Sequence, residues 1–160
     1  MADHPCFTTL DRALGAYRAG RPKEALALAE AAWRMTEDIP GAPPHAAVVS
    51  AWYGYLVGTV GSRWRDGVEL CRSATRIAFW EPRVYELLAR LEIEGEMRHR
   101  ALASVQRGLA LSPDDPELLQ LRRWLGLRRT PVIWFLDRSH PINRWLGRLR
   151  HRASNGDLSS

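Results

Sequence analysis

Lysine and cysteine are the residues this chain nearly does without. Lys23 is the one lysine among 23 basic residues, and the cysteines number two, Cys6 and Cys71. So few thiols exclude a disulfide framework and fit a reducing compartment. The opening stretch MADHPCFTTLDRALGAYRAG lacks a basic segment followed by an apolar run, so no secretory signal is expected. With basic residues almost all Arg, the sequence reads as bacterial in style and the expected location is the cytoplasm. Long hydrophobic runs are also missing. The most apolar stretch, Ala46 to Val60, is shorter than the ~20 residues a bilayer needs, and Arg63, Arg65 and Asp66 follow it closely. Gly54 and Gly58, spaced as in packed membrane helices, therefore mark a buried soluble helix. His4, His45, His99, His140 and His151 are scattered without zinc-binding spacing, and no Gly-rich phosphate loop occurs. No cofactor, metal site or catalytic constellation is expected, and the chain does not read as an enzyme.

What remains is ordinary material for a folded domain. The 160 residues are 46% hydrophobic and 26% charged, enough for one domain with a core plus a tail. The net charge of +5 is unevenly spread. Residues 1–121 hold 14 Lys and Arg against 16 Asp and Glu, whereas residues 122–160 hold 9 Arg against 2 Asp. The basicity belongs to the C-terminal segment.

Internal repetition is the strongest positive signal. At a spacing of 34 residues, Gly61, Gly67, Cys71 and Ala74 recur as Gly95, Ala101, Val105 and Gly108. Each set places glycine at a turn, then small or medium residues on one face of the following helix. Two antiparallel helices approach closely only where small side chains line the crossing, and each hairpin must bury its remaining apolar face on the next. Gly20, Ala25, Ala29 and Ala32 form an earlier copy, separated from the second unit by a longer connection from Asp38 to Pro44. The periodicity predicts helices near 7–19, 22–37, 44–60, 65–79, 82–94, 98–111 and 115–128. Pro22, Pro82 and Pro116 stand where helices start, and the loop Ser112-Pro113-Asp114-Asp115-Pro116 offers an Asp to cap the last one. Trp33, Trp52 and Trp124 fall on expected core or junction positions, whereas Trp64 and Trp80 flank helix ends and are expected to be more exposed.

The segments AYRAGRPKEALALAEAAW and HRALASVQRGLALSPDDPEL resemble the tetratricopeptide (TPR) family, and the resemblance extends over roughly residues 7–128. It implies an all-α, right-handed helical-hairpin solenoid of three TPR-like repeats over residues 1–129, closed by a capping helix. It further implies a protein-interaction module, an adaptor, scaffold or chaperone-like part, that takes a peptide or helix in a groove lined by the first helix of each hairpin. In that register the groove residues are Leu14, Tyr17 and Arg18, then Ala51, Tyr55 and Thr59, then Tyr85, Ala89 and Glu92. Family members that clamp a C-terminal carboxylate use Lys and Asn on these faces. Those are absent here, so that specificity does not carry over.

Beyond Thr130 the pattern changes. Residues 130–152 contain the short run Val132 to Leu136 and then an expected basic amphipathic helix, with Ile142, Trp145, Leu146 and Leu149 on one side and Arg144 and Arg148 on the other. Residues 153–160 read as a disordered tail. The apolar stripe is expected to dock on the last repeat, on a partner or on a second copy, giving a homo-oligomer. The alternative is that the Arg-rich helix acts on anionic membrane or nucleic acid.

Overall fold

The computed structural model describes residues 4–37 and 46–126. These form seven helices: α1 (Pro5–Arg18), α2 (Pro22–Glu37), α3 (Ala47–Thr59), α4 (Trp64–Ile77), α5 (Pro82–Glu94), α6 (Arg98–Leu111) and α7 (Pro116–Leu125). No strand occurs among the described residues. The connection around residues 38–45 and the expected C-terminal helix with Arg144, Trp145, Arg148 and Leu149 lie outside them, as does the tail.

Helix starts follow the local chemistry. Proline occupies the first position of α1, α2, α5 and α7, where a missing N–H costs nothing. His4 Nδ1 accepts from the Cys6 amide at 3.3 Å, which caps α1. Asp115 Oδ1 accepts from the amides of Glu117 and Leu118 at 3.0 Å each, which caps α7. Gly20 adopts φ +73° after α1, and Gly126 adopts φ +64° after α7. The other two turns differ from expectation. There the left-handed position belongs to Ser62 (φ 54°) and Glu96 (φ 56°), each one residue past the glycine. Gly95 is small for a different reason, since a Cβ there would collide with the Trp64 ring.

The helices pair as antiparallel hairpins, α1 with α2, α3 with α4 and α5 with α6, and α7 packs on α5 and α6. Adjacent hairpins stack through α2 on α3 and through α3 and α4 on α5. Small residues set how closely they approach. In the first hairpin Ala13, Ala16, Ala25 and Ala29 are buried in the shared core. In the second the backbones nearly touch. A Cβ on Gly54 would meet the Gly67 carbonyl oxygen at 2.8 Å, and one on Gly67 would meet Gly58 Cα at 2.9 Å. Helix α3 is accordingly buried on most sides, from Ala51 through Val57, which is why its sequence is apolar all round. Cys71, on α4, is fully buried with its thiol aimed at the Ala51 carbonyl, and burial pushes that thiol well above the usual range. Helix α7 closes the stack by inserting Leu118, Leu121 and Leu125 against Ala89, Ala101 and Val105. Each leucine so buried contributes about 1.5–3 kcal/mol.

Two tryptophans fall on the opposite side of the line from their sequence expectation. Trp64, expected at the surface, is half-buried and donates its indole N–H to the Leu91 carbonyl at 2.7 Å. Trp124, expected inside, is 66% exposed, because among the described residues no helix follows α7 to cover it.

The crowding at Gly67 leads to a paired expectation. Gly67→Ala forces two backbones apart and lowers stability by about 1–3 kcal/mol. Gly15→Ala places a methyl where nothing lies within 4 Å on α1, and raises stability by roughly 0.5–1 kcal/mol. Urea denaturation of the two variants checks both signs.

Candidate partner-binding groove

The first helices of successive hairpins lie side by side, and a groove of about 280 Å³ opens where α3, α5 and α7 meet. Tyr55 forms its α3 wall, Arg90, Ile93 and Glu94 its α5 wall, and Glu117, Gln120, Leu121 and Trp124 its α7 wall. Each helical set follows the i, i+3, i+4 or i+7 spacing that keeps side chains on one face.

Aromatic rings extend this surface toward the N-terminus. Tyr17 on α1 meets Tyr55 edge-on, with ring centroids 6.3 Å apart and planes at 80°. Their hydroxyls lie 3.5 Å apart. Trp52 packs against the other side of Tyr55 at 5.9 Å, again near perpendicular. Burial raises the Tyr55 phenol above its ordinary range, and the Tyr17 hydroxyl and the Glu94 carboxylate push the same way. Tyr55 therefore stays neutral and offers the groove an apolar face with a hydroxyl at its edge.

Arg90 organises the charged floor. Its Nε donates to Glu86 at 2.9 Å and one terminal nitrogen donates to Glu117 on α7 at 2.6 Å. Arg83 supplies Glu86 with a second cation. Glu86 is only 3% exposed, and these two arginines make its burial tolerable. The network also ties the closing helix to the third hairpin.

The residues named from sequence divide between the groove and the core. Tyr55 lines the groove, and Tyr17 packs against it. Thr59 is half-buried and donates its hydroxyl to the Tyr55 carbonyl of its own helix at 2.9 Å. Arg18 is exposed in the last turn of α1. Leu14 packs beside Cys6 and Leu10, and Ala51 is fully buried. In the third hairpin the structure places Tyr85, Ala89 and Glu92 inside. The Tyr85 ring is buried and its hydroxyl donates to the Phe79 carbonyl at 3.1 Å. Ala89 belongs to the core under α7. Glu92 accepts from Ser104 at 2.8 Å and from Arg72 at 3.3 Å, with 2% exposure. The cause is a change of loop length. Four residues separate α3 from α4 and three separate α5 from α6, so Tyr55 corresponds to Arg90 and Thr59 to Glu94. A strict 34-residue offset misses that step, and one residue turns a helix face by about 100°. Arg90, Ile93, Glu94 and the α7 residues were thus missed, and the loop count held the signal.

A second, larger depression of about 720 Å³ lies on the other side of α3, between α2 and α4, lined by Trp33, Tyr53, Arg63, Asp66, Glu69, Arg72 and Arg76 among others. Trp33 and Tyr53 stack on each other there at 4.9 Å. Among the described residues no group of acidic, His or Cys side chains could hold a metal ion, and no helix is long and apolar enough to cross a membrane.

No protein-family model matches the sequence, and no curated protein matches it. Solved structures do match. The first TPR of Spaghetti (RPAP3), bound to the HSP90 peptide SRMEEVD, aligns with a TM-score of 0.59 at 13% identity, over 75% of this chain and 89% of that one. A chain of the APC/C hetero-tetramer Cut9–Hcn1 aligns with a TM-score of 0.64 at 11% identity, over 77% of this chain; this chain spans about a quarter of it (24%). At such identities the likeness establishes the architecture. The fold is a TPR-like solenoid of helical hairpins.

Because Glu92 and Tyr85 are packing residues, substitutions there report on stability. Ser104→Ala leaves the buried Glu92 carboxylate with Arg72 alone and costs about 1–3 kcal/mol. Thermal melting measures the loss.

Proposed function

We propose that this protein is a protein-interaction module that holds a peptide or a helix of a partner along the groove running from Tyr17 past Tyr55 to Trp124, as an adaptor and without catalysis of its own. One observation carries the reading. Trp124 stands 66% exposed at the wall of a groove whose other walls include Tyr55 and Ile93. A large exposed aromatic beside apolar neighbours and a few oriented polar groups is the usual make-up of a peptide anchor site. The volume suits a side chain or a short stretch of peptide, being below the ~300 Å³ where small-molecule clefts begin. The RPAP3 domain of similar fold is itself bound to a peptide, which supports peptide binding as a use of such a fold.

Panning a random-peptide phage library on the full chain tests this. Enriched peptides should bind the parent and lose at least about fivefold in affinity, ~1 kcal/mol, to Trp124→Ala, whose thermal melting should match the parent's. A library that yields no enriched sequence, or peptides indifferent to Trp124→Ala, overturns the assignment of the groove.

A further inference from the structure

Building on that reading, we infer that the groove selects a basic, apolar segment, with a Lys or Arg side chain of the partner lying between the Glu94 carboxylate and the Trp124 ring. The groove holds one cation, Arg90, against two carboxylates, Glu94 and Glu117. Arg90 is already engaged at both ends by Glu86 and Glu117, and Arg83 completes the charge of that cluster. Two arginines and two glutamates therefore cancel. Glu94 remains, with no hydrogen bond or ion pair to any described residue and its carboxyl raised above the ordinary range by partial loss of water. A partly desolvated carboxylate without a counter-ion gains from an arriving cation. An exposed indole in the same groove adds the attraction of its ring face for that cation, while Ile93 and Leu121 cover an aliphatic stem.

Charge complementarity at this groove opposes the charge of the whole molecule. The chain carries +5 overall, an excess held by residues 122–160, so long-range attraction from that segment would favour acidic peptides. A basic preference would have to arise locally, and Glu94 is the residue positioned to create it.

The peptides enriched by panning on the full chain provide the readout, with the acidic heptapeptide SRMEEVD as a second probe. The enriched set should be rich in Lys and Arg beside Leu, Ile or Phe. Glu94→Gln should weaken those peptides about fivefold or more, and Glu94→Lys should weaken them further, with melting unchanged because the side chain is solvent-facing. SRMEEVD should bind at most weakly, and its binding should be indifferent to Trp124→Ala. If acidic or neutral peptides are enriched, or if SRMEEVD binds in a Trp124-dependent way, the charge assignment is overturned while peptide binding in the groove stands. Self-association abolished by Trp124→Ala would give the groove to a second copy and overturn it equally. Failure to enrich any peptide removes both this inference and the reading it rests on.

Discussion

The structure depends on how closely α3 and α4 approach. Gly54 and Gly67 bring the backbones of these two helices into contact, with no room for even a methyl group on either, and Gly58 lies against Gly67. Because interiors pack as densely as organic crystals, such an approach admits one spacing and no other. The second hairpin is thereby fixed in width, and it supplies the surface on which the first and third hairpins stack. Alanine performs the same task with more tolerance in its neighbours, at Ala25 and Ala29 in the first and at Ala89 and Ala101 in the third, all fully buried. The hydrophobic effect drives the stacking, but the small residues decide its geometry, and that geometry sets the depth of the groove.

Charge is handled by position along the stack. Among the described residues, buried carboxylates occur where arginines from neighbouring turns or helices answer them, Glu86 with Arg83 and Arg90, Glu92 with Arg72. Removing one partner from such a pair is far costlier than the pair's net contribution, so these networks define registry between helices more than they add stability. Arg90 shows the point best, since its two ends lock α5 to α7 and leave the rest of its plane at the groove wall.

Much of this was legible in the sequence, and what escaped did so for identifiable reasons. Pro22, Pro82 and Pro116 and the 34-residue recurrence located the helices to within a few residues, because helix starts and close crossings both restrict residue type. Tyr17 and Tyr55 were both named as groove residues, and their rings meet edge-on. Tyr85, Ala89 and Glu92 were named as groove residues and the structure buries them; for Tyr85 and Ala89, 34 residues after Ala51 and Tyr55, the extra residue between α3 and α4 changes the phase without altering the small-residue pattern. Nothing in the sequence distinguishes a buried Glu92 from a solvated one, since its burial depends on Ser104 and Arg72 arriving from two other helices. Trp124 was read as a core or junction residue, yet its side chain falls outside the stripe of Leu118, Leu121 and Leu125 and is exposed.

The indole of Trp64 has a consequence for how the molecule comes apart. It begins α4 in the second hairpin, lies over Gly95 at the turn of the third, and bonds to the Leu91 carbonyl. In a linear array, stability is a sum of unit terms and couplings between nearest neighbours. A ring that fills space in one unit and satisfies a backbone carbonyl in the next contributes almost wholly to the coupling. The second and third hairpins thus form one cooperative block, and fraying from the C-terminal end halts at α7 or proceeds through both.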